Sequence, residues 1–226
     1  MNVKKIAIAA LLAGTAFVQV ADAAQVVFGN PTWRDQSYGG GEFAADLVGV
    51  GGSPDFYTFC LEKNEGLAFG VTYDYTLGTA AMAGGLGGGN PDPVSAGTSF
   101  LYQRFLNETL PGYSFATSTP AERAARAASG RDLQNAIWGL ENEQAVDLAN
   151  PFIAQVVAAF GSIAAAMADA TSGAIGVLNP TDPSQATTSP LYRRQSVLIN
   201  LPDNGTAAMM LGGSLMLVGL VRRRMA

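Results

Sequence analysis

The chain has 226 residues, with 13 Lys and Arg against 18 Asp and Glu, and a formal net charge of −5. An acidic chain is a poor partner for nucleic acid, whose phosphates bind basic surfaces. The sequence contains no histidine and a single cysteine, Cys60. These counts exclude an intramolecular disulfide, a zinc site built from histidine and cysteine, and catalysis by a Cys-His or Ser-His pair.

Residues 1–23 have the pattern of a secretory signal peptide. Two lysines precede an apolar run over residues 6–20, and Ala21-Asp22-Ala23 places small residues where a signal peptidase recognises them. We expect cleavage after Ala23 or Ala24 and export through the Sec pathway. A retained membrane anchor is the alternative, and the shortness of the apolar run argues against it.

Several segments between residues 25 and 77 alternate apolar and polar side chains or are rich in aromatic residues, both typical of β-strands. Turns rich in Gly and Pro separate them. The clearest alternation is in Val71–Leu77, where the odd-numbered residues would form one apolar face. The predicted strands are Gln25–Phe28, Glu42–Val50, Asp55–Leu61, Val71–Leu77 and a closing strand, Gln195–Leu201.

The middle of the chain is predicted to be helical, because apolar residues recur there at helical spacing. Thr119-Pro120-Ala121-Glu122 has the residues of a capping box, with proline at the first helical position. The uncharged stretch ending at Met167 has a one-sided apolar stripe, which favours a buried soluble helix over the alternative, a membrane span. The predicted helices are Ser99–Leu110, residues 119–130, Arg131–Leu140 and residues 150–167.

These elements predict an α+β domain over residues 24–200: an antiparallel β-sandwich or barrel with a helical insertion. Ala83–Pro93 is glycine-rich but lacks the Lys-Ser/Thr of a phosphate-binding loop, so it is interpreted as a flexible linker. Residues 179–184 are predicted to form a loop. Glu62–Gly66 is interpreted as a solvated hairpin, with a catalytic role for Glu62 and Glu65 near the sulfur as the alternative.

Residues 201–226 combine three features of a C-terminal sorting signal: a short motif, an uncharged span and a basic stop. The span is marginally long enough to cross a bilayer, with the arginines on the cytoplasmic side. The pattern resembles the PEP-CTERM tails that exosortases process, most closely the Val-Pro-Asp-Ser-Gly variant, and is also similar to the Leu-Pro-x-Thr-Gly signal of sortase substrates. A plain membrane anchor is the alternative. The motif consists of Leu201, Pro202, Asp203, Asn204 and Gly205.

Cys60 and Gln134 are the residues on which a functional prediction can be built. Alternation along the strand places Cys60 on the same face as Thr58. Gln134 lies one helical turn before Trp138, so both project from one side of the helix. A glutamine backed by an indole and facing an apolar strand would lie in a partly dry pocket. The alternative is that Cys60 is a small buried hydrophobe and Gln134 an ordinary polar helix residue.

The aromatic-Cys-apolar tripeptide Phe59-Cys60-Leu61, followed by Leu133-Gln134-Asn135-Ala136-Ile137-Trp138, resembles the thioester domain of bacterial surface adhesins. In that family the cysteine sulfur and the glutamine side-chain carbonyl condense, with loss of ammonia, to an internal thioester. The resemblance implies a thioester between Cys60 and Gln134. It also implies a pocket around the bond, formed by Phe59, Leu61, Ile137 and Trp138.

The resemblance implies covalent capture of an amine-bearing surface protein or matrix component, once per molecule, and no enzymatic turnover. No cofactor and no metal are expected. Backbone N–H groups at the start of the Gln134 helix are the expected oxyanion donors. Further expected partners are an exosortase-like enzyme and, before processing, the membrane that the C-terminal span crosses. The alternative is a non-covalent structural protein of the envelope or exopolysaccharide matrix, and no constellation supports a hydrolase.

Overall fold

The computed structural model describes residues 24–34, 39–50, 52–82, 84–170 and 174–201. The predicted signal peptide lies outside these residues, as does the predicted sorting signal except for Leu201. Within these ranges, no helix combines the length and apolar character needed to cross a bilayer.

Six antiparallel strands form one sheet: β1 Gln25–Gly29, β2 Phe43–Leu47, β3 Phe56–Thr58, β4 Thr72–Gly78, β7 Ile175–Thr181 and β8 Val197–Asn200. Their order in the sheet is β3-β2-β1-β4-β7-β8. Just after β3, the N–H of Leu61 donates to the carbonyl of Ser196 at 3.0 Å, and the N–H of Leu198 donates to the carbonyl of Phe59 at 3.3 Å. These bonds, which we call the seam, join β8 to residues 59–61 and nearly close the sheet into a barrel.

The helices form an insertion between β4 and β7, which confirms the α+β class predicted from sequence. The insertion begins with a short hairpin, β5 Ala80–Ala81 paired with β6 Asp92–Pro93. The predicted capping box is present: Thr119 accepts from the N–H of Glu122, whose carboxylate accepts from the N–H of Thr119. The helices are α1 Ala96–Leu106, α2 Pro120–Leu140, α3 Pro151–Phe160 and α4 Ile163–Ala166.

Strand alternation divides the buried side chains into two cores, because successive residues point to opposite faces of the sheet. One face lines the barrel interior and the other packs on the helices. The barrel core contains Val26, Phe28, Phe43, Ala45, Cys60, Tyr73, Trp138, Leu178, Val197 and Ile199. The helical core includes Phe59, Leu61, Leu101, Leu133, Ile137, Phe152, Val177 and Leu198.

The predicted helix end near Gly130 is wrong, because α2 runs without a break from Pro120 to Leu140. A Cβ at Gly130 would lie 3.4 Å from the Tyr113 hydroxyl and 3.6 Å from the backbone nitrogen of Glu42. These are ordinary van der Waals distances, so α2 simply continues through a glycine that costs about 1 kcal/mol of helix propensity relative to alanine.

Two other predicted boundaries are also wrong. The helix expected over residues 150–167 is broken at Gly161, whose φ of 79° is left-handed and ends α3. Residues 179–181 belong to β7 rather than to a loop, because Asn179 and Thr181 pair with Thr76 and Asp74 of β4. The proline between them is tolerated in this pairing, although proline usually marks loops or strand edges.

The predicted apolar face of Val71–Leu77 is only partly buried. Tyr73 is 1% exposed, whereas Val71 is 39% exposed and Leu77 48%. Among the described residues, β1 pairs with β4 over Thr72–Asp74, so Leu77 lies beyond that pairing and is paired with β7 instead. Alternation identified this strand, but burial depends on where the neighbouring strand ends.

The glycine-rich segment before α1 is not a free linker, which corrects that interpretation for the part that the structure describes. Glu143, just after α2, accepts hydrogen bonds from the backbone N–H groups of Leu86 and Gly87, both at 3.1 Å. The same carboxylate accepts from the N–H of Lys63 at 2.6 Å. One buried side chain therefore ties the loop to the turn that follows the seam.

Candidate functional site at Cys60 and Gln134

The side chain of Gln134 lies against the backbone of Cys60. Its Oε1 accepts from the N–H of Cys60 at 3.0 Å, and its Nε2 donates to the carbonyl of Cys60 at 2.8 Å. A third bond comes from the N–H of Gly41, 3.3 Å from the same Oε1. Gln134 is fully buried. The amide carbon, bonded to both of these Gln134 atoms, therefore lies beside the residue that carries the sulfur.

The geometry of the seam explains why the backbone of Cys60 is free to bind this amide. Phe59 and Leu61 direct their backbone groups toward β8, and Cys60 bridges Val197 between them. In an antiparallel pair, residues between the bonded positions point their N–H and C=O groups away from the partner strand. Gln134 pairs with these groups as a further strand would, so none of them is buried without a partner.

Helix α2 positions Gln134 and Trp138 together at the barrel. The two residues are four apart and lie on one face of the helix. Trp138 packs in the barrel core with Cys60. The Lys63 Nζ lies 5.5 Å from the centroid of the Trp138 ring, which places a cation over one side of the indole.

Two glycines before β2 allow this segment to lie directly against Gln134 and Trp138 of α2. A Cβ at Gly40 would lie 2.6 Å from a ring carbon of Trp138 and 2.7 Å from Cγ of Gln134, distances that real side chains do not adopt. Gly41 has a φ of 94°, a conformation that favours glycine. In this conformation Gly41 donates its N–H to Gln134.

A buried ion pair fixes the segment that carries Gly41. Glu42, the next residue, pairs with Arg126 of α2, whose Nε donates to the Glu42 carboxylate at 2.8 Å. The Tyr113 hydroxyl and the Trp33 indole donate to the same carboxylate oxygen at 2.7 and 3.2 Å. The carboxylate is therefore saturated with donors, and this network holds the start of β2 against α2.

Burial keeps the Cys60 thiol protonated. The side chain is 7% exposed, and burial raises its pKa to about 12, with Arg34 acting to lower the pKa and Glu62 to raise it. At neutral pH only about one thiol in 10⁵ would ionise at such a pKa. The described residues contain no cluster of three metal-ligating side chains.

Glu62 is not part of a solvated hairpin, which corrects the prediction for this residue. It is 2% exposed, and its Oε2 accepts from the N–H of Ser196 at 2.9 Å and from Nε2 of Gln195 at 2.8 Å. Its other oxygen, Oε1, is buried with no hydrogen-bond partner among the described residues. Burial raises the pKa of Glu62 to about 7. Glu65, by contrast, is partly exposed.

The structure divides the four predicted pocket residues between the two cores. Trp138 shares the barrel core with Cys60. Phe59, Leu61 and Ile137 face the helical core, because the strand neighbours of Cys60 point the opposite way and Ile137 precedes Trp138 on the helix. These three side chains therefore pack on the opposite side of the sheet from the Cys60 side chain.

Sequence reasoning missed the groups that surround the amide. The oxyanion donors were expected at the start of the Gln134 helix, but α2 begins at Pro120, about four turns earlier. The N–H groups that donate to the Gln134 carbonyl oxygen are those of Gly41 and Cys60. The run Gly39-Gly40-Gly41 directly before a predicted strand was a usable signal, since glycines at such a position often allow close backbone approach.

Comparisons of the chain with protein-family models, with curated proteins and with solved structures found no significant match.

Proposed function

We propose that the protein is exported and captures a partner covalently, through an internal thioester between the Cys60 sulfur and the Gln134 side-chain carbonyl. The observation that supports this proposal most directly is the pair of backbone N–H groups, from Cys60 and Gly41, directed at Oε1 of Gln134. Such donors stabilise the negative charge that develops on a carbonyl oxygen under attack.

Thioester formation requires the Cys60 sulfur to attack the Gln134 amide carbon, a poor electrophile in water. The two N–H donors polarise that carbonyl, and burial excludes water from the bond once it forms. The Gln134 amide is hydrogen-bonded to the backbone of the residue that carries the sulfur, so the reaction is intramolecular. Effective molarities in aligned sites reach ~10⁵ M or more. In the balanced reaction, a C–S bond replaces the C–N bond and the amide nitrogen leaves with the thiol proton as ammonia.

Capture is the same exchange with a different amine. A neutral amine of the partner attacks the acyl carbon, the C–S bond breaks, and the proton lost by the amine ends on the Cys60 sulfur. The products are a substituted amide on Gln134 and a free thiol. The proposal extends to the ends of the chain: a signal peptide over residues 1–23 and an exosortase-type sorting signal over 201–226 would place the domain at the cell surface or in the matrix.

The test is the intact mass of the full chain produced in an exporting host, compared with Cys60→Ala, whose processed ends are the same. The thioester predicts a wild-type mass lower by one ammonia than its sequence, and methylamine should add to wild type only. Alkylation of Cys60 must be scored after denaturation, because the folded protein buries this thiol whether or not the bond exists. A full calculated mass with complete alkylation would refute the thioester.

A second candidate, a non-covalent structural protein of the envelope or matrix, is favoured by one observation. The Gln134 amide already satisfies the N–H and C=O of Cys60 without any covalent bond. In that case the glutamine completes the backbone hydrogen bonding of Cys60 beside the seam, and the thiol is only a buried apolar group. The mass measurement separates the two candidates, since only the covalent one predicts a loss of ammonia.

A further inference from the structure

The proposed thioester leaves one chemical requirement without an assigned residue. The Cys60 proton must leave the sulfur, and the departing nitrogen must gain a proton, inside a buried site. Histidine is absent from the chain, and burial makes the free thiolate rare because it raises the pKa of Cys60 to about 12. Proton transfer to a positioned base contributes typically 10²–10⁴-fold to such reactions.

Glu62 is placed to be that base. It follows Cys60 by two positions, and its carboxylate is fixed on the N–H of Ser196, the neighbour of the Val197 that bridges Cys60. Nε2 of Gln195 donates to the same oxygen, Oε2, at 2.8 Å. These two bonds leave Oε1 buried and without a partner among the described residues. The charge of Glu62 also acts on the Cys60 thiol.

We propose that Glu62 carries the proton between the Cys60 sulfur and the nitrogen that leaves or enters at Gln134; the inference rests on the proposed thioester. During formation, the carboxylate takes the thiol proton as sulfur attacks the amide carbon, and the resulting carboxylic acid gives it to the departing nitrogen, which leaves as ammonia. During capture, the carboxylate takes a proton from the attacking amine and returns it to sulfur. Glu62 ends each of the two reactions in the protonation state in which it began.

The charged groups around this pair suit such a role. Arg34, after β1, favours a negative charge on the Cys60 sulfur. Glu65, in the turn after Glu62, disfavours a negative charge on Glu62, whereas Ser196 of the segment leading into β8 favours it. Burial dominates these effects and raises the pKa of Glu62 to about 7. The carboxylate can therefore both accept and release a proton near neutral pH.

The experiment compares the full chain with Glu62→Gln, and uses Glu141→Gln as the matched control. Glu141 is another buried glutamate whose pKa burial raises to about 7, but it is bonded to Ser95 at the start of α1. Thioester content is read from the intact mass, and the rate of methylamine addition is measured from pH 5 to 9. Protonation of methylamine affects all variants equally, so the rate ratio to wild type isolates the effect of Glu62.

We expect Glu62→Gln to lower the neutral-pH rate about 100-fold, and the deficit relative to wild type to grow as pH rises through about 7. Glu141→Gln should keep the wild-type profile. Glu62→Asp, which keeps a carboxylate on a shorter side chain, should keep the pH dependence at a reduced rate. Wild type with a thioester but with unchanged rates and profiles in both Glu62 variants would overturn the role of Glu62 alone. Wild type with no mass deficit would instead overturn the proposed function, and this inference with it.

Discussion

The non-covalent arrangement around Gln134 can be tested apart from any thioester, by replacing Gln134 with alanine in a Cys60→Ala background. In that background no thioester can form, yet the backbone of residue 60 remains. Gln134→Ala then removes the partner of three buried backbone groups, the N–H and C=O of residue 60 and the N–H of Gly41. It also leaves a cavity in place of the amide and its methylenes.

The expected loss is large. Each buried backbone group left without a partner costs about 1–3 kcal/mol, and truncation of a fully buried side chain to alanine adds about 2 kcal/mol or more for the cavity. At the low end of each range, the free energy of unfolding should fall by about 5 kcal/mol. This approaches the whole stability of many domains of this size.

The measurement is urea unfolding followed by tryptophan fluorescence. Gln144→Ala in the same background is the matched control. The Gln144 side chain, partly exposed just after α2, donates to the carbonyl of Asn135 at 3.1 Å, so its loss should cost about 1 kcal/mol or less. If the Gln134 variant lost no more stability than the Gln144 variant, the Gln134 amide would not be stabilising the backbone of residue 60 and Gly41.

Three further predictions follow from the surroundings of the site. Gly40→Ala should lower the free energy of unfolding by about 1–3 kcal/mol in urea unfolding, because its Cβ collides with Trp138. Gly39→Ala, with open space around it, should be near neutral. Equal losses in the two variants would contradict the close contact between Gly40 and α2. Arg126→Leu should lower the free energy of unfolding by about 3 kcal/mol in the same assay, because it leaves the buried Glu42 carboxylate without its cation. A neutral effect would show that this ion pair does not stabilise the fold. The free energy of unfolding should fall between pH 5 and pH 8.

That pH dependence has a definite sign. Burial raises the pKa of Glu62 and of Glu141 from 4.5 to about 7 in the folded protein. A raised pKa means that folding favours the protonated acid, so the stabilisation is complete below the unfolded value and is lost as pH rises through about 7. Each group contributes about 3 kcal/mol over this window. Glu141→Gln should therefore remove roughly half of the pH dependence of the free energy of unfolding. An unchanged pH dependence would show that burial does not raise the pKa of Glu141.

Most elements of the fold follow from local chemistry, and the sequence predicted those. It did not predict β7, Ile175–Thr181, part of which was interpreted as a loop. The capping box at Thr119 and the Asn150-Pro151 start both specify helix ends through side chains next to the end itself. Boundaries set by contacts distant in sequence were predicted wrongly. Gly130 resembles a helix stop, yet α2 continues through it to Leu140, over a stretch that packs Leu133 and Ile137 into the helical core.

In the candidate site, too, some residues could be found from sequence motifs and others depend on the folded structure. Cys60 and Gln134 could be paired from their motifs, and the structure does bring them together. The contacts of Gly41 and Glu62 depend on a backbone direction and on burial, so the sequence offered only a glycine run for the first and an alternative to a solvated hairpin for the second. A glutamate in a charged turn is ordinarily solvated. Glu62 is buried because Gln195 and Ser196, far along the chain, fold over its carboxylate.

The position of β8 has a mechanical consequence. The chain continues past Leu201 directly from this strand, whose other edge is bonded to residues 59–61. Tension applied from the C-terminal side would therefore reach the strand beside Cys60 before it reached the helices. A bond between Cys60 and Gln134 would tie that strand's neighbour to α2, and the load would then pass into the helical half through a covalent link.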